Sequence, residues 1–321
     1  MIRTKNIIPL IVLMTIFMSC KSDTSHNKNI DTSSVPADTS KLNKFDSEEY
    51  GRKMKVLETE VNIPIKSEWK LEAELSIPNL TPNGVTAINE YIIVSDTAQS
   101  IVLRATLEDG VIDTILTDSK VLLLNQRRAK VLMPLFDHDS IFVYRGDVRP
   151  IYKLEIEEQL NNPTAFDGLR LDNYYIVDQG LHRIVRNKEN SYSFIGGEGV
   201  DDGELNNPSS VIVAAGKLHV SDTGNNRMQI FSIEGEFEST YADASFKGPS
   251  GLATDGKHVF VSDQQAGAVY LFSNFGKLIY KLTENIGAPT DVFFEKGKLY
   301  VSDKIGSTVK IFSNPSYSED L

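Results

Sequence analysis

The tripeptide Val-Ser-Asp closes a short apolar run four times in this chain, ending at Asp96, Asp222, Asp263 and Asp303, and Ile176-Val177-Asp178 is a fifth, altered copy. Successive Asp residues stand 82, 44, 41 and 40 residues apart. A second ruler gives the same count: Pro82, Pro163, Pro208, Pro249 and Pro289 precede the copies at intervals of 81, 45, 41 and 40. The first interval holds two periods, so six units of roughly 40 residues are expected. A period of that length, with several strands in each unit, reads as the blades of a propeller. The unmarked second unit is expected in "KVLMPLFDHDSIFVYR", which puts Arg145 where the other units have Asp.

One unit can be read strand by strand. Pro208 opens the innermost strand, where a missing N–H is tolerated at the first residue. "SVIVAA" is that strand, Gly216 turns the chain, and "KLHVSD" is the second strand. Asp222 ends it, with a carboxylate able to accept hydrogen bonds from the N–H groups of the following turn, an interaction of about 1 kcal/mol. "RMQIF" is the third strand and "EFESTY" the outer fourth. From Val56 onward apolar residues alternate in short runs between Gly, Asn, Asp and Pro, with no sustained helical period, so the chain is expected to be all-β. Asp96, Asp178, Asp222, Asp263 and Asp303 are therefore read as structural turn joints.

The segment from Phe194 to Phe237, "FIGGEGVDDGELNNPSSVIVAAGKLHVSDTGNNRMQIFSIEGEF", resembles the NHL repeat family in its Gly-rich lead-in, its Pro, its strand ending in Asp, its Asn-x-Arg-like turn and its closing Gly. The likeness covers roughly residues 65 to 313 and implies a six-bladed β-propeller (NHL/TolB-like). The last unit ends its third strand at Phe312, and "SNPSYSEDL" offers no outer strand. "EWKLEAEL", Glu68 to Leu75, has strand alternation and is expected to complete that blade, closing the ring and removing a free edge.

The first 53 residues are different in kind. Arg3 and Lys5 precede "NIIPLIVLMTIFMS" and Cys20, the arrangement of a secretory signal whose apolar run is too short for a spanning helix. Phe17-Met18-Ser19-Cys20 resembles a bacterial lipobox, with Phe17 where the pattern prefers Leu; the resemblance implies cleavage before Cys20 and its lipidation. "CKSD" resembles the export signal of Bacteroidetes surface lipoproteins. Cys20 is the single cysteine of the chain. Residues 1–19 are thus read as a lipoprotein signal peptide, 20–53 as a flexible polar tether and 54–321 as the propeller. These readings predict an exported protein, lipid-anchored to the bacterial cell envelope, with the outer membrane and the cell surface among the addresses left open. The net charge of −11 argues against nucleic acid as a partner.

Chemistry is less marked. Zinc-dependent lyases with NHL repeats use His at the starts of inner strands; the matching positions here are Thr164, Ser209, Ser250 and Thr290. Asp291 and Asn83 are hard ligands near those starts and leave open a divalent metal in the central channel; no other cofactor is expected. Arg145-Gly146-Asp147 is read as a chance tripeptide, and Glu198, Asp201, Asp202 and Glu204 as a solvated acidic loop. "SKVLLLNQRRAKV" is read as a lengthened junction between the first and second blades, carrying the basic residues Arg127 and Arg128.

Blade-to-blade connections and second-to-third-strand turns share one face of a propeller. The candidate binding face therefore comprises Arg127, Arg128, Arg145, Asp201, Asp202, Asn225, Asn226 and Arg227, around inner-strand starts bearing Ser209, Ser250, Thr290 and Asp291. The expected function is non-catalytic binding of a protein, peptide or glycan. The alternatives are a metal-dependent lyase or lactonase acting at the channel mouth, and a structural component of an envelope complex.

Overall fold

In the computed structural model, residues 68–126, 130–137, 140–145, 152–155, 159–170 and 173–317 are described. Cys20 and the expected tether lie outside them, as do Arg127 and Arg128. Among the described residues, twenty-four strands form six antiparallel sheets of four, arranged as a ring.

The first strand, β1 (Lys70–Ser76), belongs to the last blade. Blade 1 is β2 (Pro82–Ile88), β3 (Tyr91–Asp96), β4 (Ile101–Thr106) and β5 (Gly110–Thr117), from the inside outward. Blade 2 is β6 (Asn125–Gln126), β7 (Val131–Pro134), β8 (Ser140–Tyr144) and β9 (Tyr152–Glu155). Blade 3 is β10 (Pro163–Arg170), β11 (Asn173–Asp178), β12 (Arg183–Lys188) and β13 (Ser191–Gly196). Blade 4 is β14 (Ser210–Ala214), β15 (Lys217–Asp222), β16 (Arg227–Ser232) and β17 (Phe237–Tyr241). Blade 5 is β18 (Pro249–Thr254), β19 (His258–Asp263), β20 (Ala268–Ser273) and β21 (Leu278–Leu282). Blade 6 is β22 (Pro289–Glu295), β23 (Lys298–Asp303) and β24 (Thr308–Ser313), completed by β1.

The closure expected from "EWKLEAEL" is present. β1 pairs antiparallel with β24, from Lys70 opposite Ser313 to Ser76 opposite Thr308. Trp69, just ahead of β1, is buried with Phe260, Phe294 and Tyr317, so the two described ends of the chain meet in one aromatic cluster. Tyr317 Oη donates to Asp255 Oδ2 at 2.5 Å, fastening the C-terminal segment to blade 5.

Between neighbouring blades, alternate side chains of facing sheets interlock. The Val of each Val-Ser-Asp is fully buried in such a layer, as with Val94, Val220, Val261 and Val301. The adjacent Ser does separate work. Ser95, Ser262 and Ser302 each accept a hydrogen bond from an inner-strand N–H of their own blade, that of Gly84, Gly251 or Asp291. Ser95, Ser221, Ser262 and Ser302 each donate to an inner-strand carbonyl of the next blade, that of Leu122, Ser250, Thr290 and Asn83. The tripeptide is therefore three joints: Val packs, Ser ties blade to blade, and Asp ties the blade to its own lead-in.

Blade 2 departs from the sequence alignment by one strand. "VLLLNQ", read as a lengthened junction, carries the innermost strand: Gln126 pairs with Val131 and Asn125 with Leu132. By the clamp pattern, Leu122 holds the place of Asn83, Ser250 and Thr290, and Met133-Pro134-Leu135 holds the place of Val-Ser-Asp. Leu135 is buried where the other blades have a carboxylate. The Phe136 N–H donates to Lys120 O at 2.8 Å, the bond that Gln179 makes to Asn162 O and Lys304 to Ala288 O; in blade 2 it stands without the Asp joint beside it. Arg145 thus follows the third strand, not the second.

Candidate functional site: the channel mouth

Each repeated Asp is fully buried at the end of a second strand. Asp222 accepts from the Asn206 N–H (2.7 Å), Asn225 Nδ2 (2.9 Å), Gln229 Nε2 (3.0 Å) and Arg227 Nε (2.6 Å). Asp178 repeats the plan with the Asn161 N–H and Arg183 Nε. Asp263 accepts from the Lys247, Gly248 and Ala266 N–H groups, and Asp303 from those of Gly287, Ala288 and Ile305. Asp96 accepts from the N–H groups of Thr81, Ala98 and Gln99 and from Gln99 Nε2. Two to four donors engage each of these buried carboxylates, which makes them structural joints.

These joints lock the connections around one end of the channel. The residues after the lead-in prolines face inward there: Asn83, Thr164, Ser209, Ser250 and Thr290, with Leu122 in blade 2. Together with Leu123 and Gln264 they line a cavity of about 120 Å³. Its hydroxyls already have acceptors. Thr164 Oγ1 donates to Ser209 O (2.8 Å), Ser250 Oγ to Thr290 O (3.1 Å) and Thr290 Oγ1 to Pro82 O (2.9 Å). Ser209 Oγ lies 2.7 Å from Thr223 Oγ1. The ring of hydroxyls is a chain of blade-to-blade ties, with an apolar gap where Leu122 and Leu123 stand.

Of the expected binding-face residues, several brace the face itself. Arg227 Nη2 donates to Asp201 O and Glu204 O, and Asn225 Nδ2 to Gly199 O, so both hold the acidic loop 197–206 in place. Asn226 takes the left-handed conformation (φ 53°) that starts the third strand, as His182 does in blade 3. Asp201, Asp202, Asn226, Gln264 and Gln265 remain exposed on this face. Arg145 is exposed at the end of β8, on the opposite rim. Arg127 and Arg128 lie outside the described residues.

Asp291 differs most from expectation. It is only 2% exposed. Its Oδ2 accepts from the Val85 N–H of blade 1 at 3.0 Å and its Oδ1 from the Val292 N–H at 2.9 Å, with the Leu124 N–H of blade 2 a further donor. Burial drives its carboxyl well above the usual range, against those N–H groups, which favour the ionised form. A β-carbon at Gly251 would overlap Asp291 Oδ1, so the glycine makes room for the carboxylate. Asn83 Oδ1 accepts from the Thr97 N–H and Thr97 Oγ1. Asn83 Oδ1 thus accepts two hydrogen bonds and the buried Asp291 carboxylate three, and among the described residues no group of three or more His, Cys, Asp or Glu is placed to hold a metal ion.

Two features carried no sequence signal. Asp167 is a second fully buried channel acid, in blade 3, opposite Asp291 in the ring; it accepts from the Gly168 and Val213 N–H groups at 2.8 and 2.6 Å. The other end of the channel opens into a cavity of about 150 Å³, with Asn125, Gln126 and Thr254 beside Phe293 and Phe294. Away from the channel, His219 lies between blades 4 and 5 with Nδ1 3.1 Å from Tyr241 Oη, and burial, aided by Lys217, pulls its pKa down to about 3.

No protein-family model matches the chain, and no curated protein does. Solved structures do. Virginiamycin B lyase from Staphylococcus aureus superposes with a TM-score of 0.56 at 12% identity, over 77% of this chain and 99% of that one. A structural-genomics protein of unknown function from Bacteroides thetaiotaomicron gives 0.58 at 13% identity, over 77% and 72%. The WD40 propeller domain of Doa1 gives 0.55 at 12% identity, over 76% and 97%. Identities this low show the propeller fold alone.

Proposed function

We propose that this chain is an exported, lipid-anchored propeller of the NHL type that binds a protein, peptide or glycan at its channel mouth on the repeated-Asp face, without catalysis. The observation that carries the reading is the mouth itself. A cavity of about 120 Å³ opens among inner strands locked by buried carboxylates, and exposed unlike side chains surround it: Asp201, Asp202, Asn226, Gln264 and Gln265, with the exposed apolar Leu181, Val200 and Ile305. Varied side chains on a rigid frame are what a recognition surface requires. The engagement of Thr164, Ser209, Ser250 and Thr290 hydroxyls by backbone carbonyls, and of Asp291 and Asn83 by N–H and O–H donors, supports binding over metal-dependent chemistry at this mouth. Lipidation at Cys20 would place the mouth at the envelope surface on a tether of about 30 residues, with an r.m.s. reach of roughly 30 Å.

Peptide and glycan arrays probed with the full chain test this. Gln264→Trp, at an exposed position beside the cavity, is expected to abolish whatever signals the arrays give. Lys257→Trp, exposed on the opposite face, is expected to leave them. Loss with Lys257→Trp and retention with Gln264→Trp would overturn the reading.

A further inference from the structure

The cavity at the mouth is lined by eight of the described residues, and none of them is charged. A carboxylate, phosphate or ammonium entering it would give up water without meeting a counter-ion, which is costly. What the wall offers is set by where its hydroxyl protons go, since a hydroxyl has one proton and two lone pairs. Thr164, Ser250 and Thr290 give their protons to carbonyls of the next blade. Thr223 Oγ1 spends its own on Pro249 O, so Ser209 Oγ is the donor in their 2.7 Å contact. Ser250 and Thr290 each have one further hydroxyl neighbour, Ser262 Oγ at 3.0 Å and Ser302 Oγ at 2.8 Å. Each of the four hydroxyls therefore keeps at least one lone pair, and blades 3 to 6 present acceptors with no proton to give.

Donors come from two amides on the same wall. Asn83 Oδ1 accepts from Thr97, so its NH₂ is the part left for a ligand. Gln264 is exposed, and among the described residues its side chain makes no hydrogen bond, so it offers both a donor and an acceptor. Leu122 and Leu123 of blade 2 form the apolar arc. The cavity of about 120 Å³ has room for about four waters at roughly 30 Å³ each. A ligand that displaces them without loss must reproduce their hydrogen bonds. A hydroxyl does so, because like water it both donates and accepts. A peptide backbone brings one N–H per residue, too few for acceptors that stand on four blades.

Resting on the reading of the mouth as the binding site, we infer that it takes a neutral sugar, the terminal pyranose of a glycan, seated by one edge. Its hydroxyls donate to the lone pairs of Thr164, Ser209, Ser250 and Thr290 and accept from the Asn83 amide, and its C–H groups pack on Leu122 and Leu123. With no charged side chain on the wall, the site discriminates against acidic and amino sugars, each of which would bury an unpaired charge.

The test is calorimetric titration of the full chain with the methyl pyranosides of glucose, galactose, mannose and N-acetylglucosamine, and with four controls: glucuronic acid, glucosamine, cyclohexanol and N-acetylalaninamide. At least one methyl pyranoside is expected to bind at least about tenfold more tightly than every control. Asn83→Asp, which keeps an oxygen for Thr97 and removes the NH₂, is expected to weaken that sugar at least about tenfold. Gln264→Leu, at an exposed position where folding is not at stake, is expected to weaken it at least about threefold. Binding of no pyranoside, equal or tighter binding of any control, or unaltered affinity in Gln264→Leu or in a folded Asn83→Asp would overturn the inference. If array-selected peptides are lost with Gln264→Trp while no pyranoside binds, the mouth remains the binding site and the sugar assignment alone falls.

Discussion

Replacing Asp222 by Ala should be far more costly than the loss of one turn hydrogen bond. The carboxylate is fully buried and serves four donors. Three of them keep a second acceptor: Asn225 has Gly199 O, Arg227 has Asp201 O and Glu204 O, and Gln229 has Glu204 O. The Asn206 N–H is left with no acceptor. Hydrogen bonds to charged groups contribute about 1.5–3 kcal/mol each, and truncating one member of a buried ion pair costs about 3–5 kcal/mol. Because most donors are rescued, the low end applies, about 3 kcal/mol. In a domain of this size that lowers the melting temperature by roughly 6–12 °C. Urea unfolding at neutral pH measures it, with the slope m checked for constancy. Asp222→Asn, which retains one acceptor oxygen, should fall between the two. A loss under about 1 kcal/mol at unchanged m would refute the view that this Asp holds the lead-in, the turn and the third strand together.

Cys20→Ser is expected to release the protein from membranes, and equal retention in fractionation would remove the lipid anchor. Deleting residues 54–75 takes away β1 and should abolish cooperative unfolding, whereas deleting 22–50 should leave the melting transition nearly unchanged; identical melts would contradict the closure. His219 stays neutral in the folded state down to about pH 3 while its unfolded counterpart protonates near pH 6.5. Its contribution is therefore present above pH 6.5 and is lost as pH falls toward 3, by up to about 1.4 kcal/mol per pH unit. His219→Leu should flatten this limb relative to the parent in urea titrations between pH 6.5 and 4.5, and parallel limbs would show that His219 is not the group responsible.

The blade count and the closing strand were legible because both rest on local patterns: a recurring Asp, a recurring Pro, and an alternating segment where a fourth strand was missing. Blade 2 was counted but misread. Its inner strand, "VLLLNQ", has no lead-in Pro, and its second strand ends in Pro134-Leu135 instead of Ser-Asp. With both markers gone, strands of similar hydrophobicity align equally well one step along, which carried Arg145 to the wrong rim. The Ser of the repeat was invisible for another reason: its acceptors lie 27 or more residues away in the next blade, beyond any local pattern. The same holds at the mouth. Sequence placed Ser209, Ser250 and Thr290 there but not the carbonyls that occupy their hydroxyls. It put Asp291 on the candidate binding face, whereas the carboxylate is buried and held by the N–H of Val85, far off in the chain.

The face assignment is tested most directly by hydroxyl-radical footprinting of the full chain with and without an array-selected ligand. Exposed apolar residues report on both faces: Leu181 and Ile305 in second-to-third-strand turns, Leu107 and Phe275 in third-to-fourth-strand turns. Protection of Ile305 and Leu181 with unchanged oxidation of Leu107 and Phe275 is the expected result. Protection of Leu107 and Phe275, with Ile305 and Leu181 unchanged, would place binding on the other face and contradict the account.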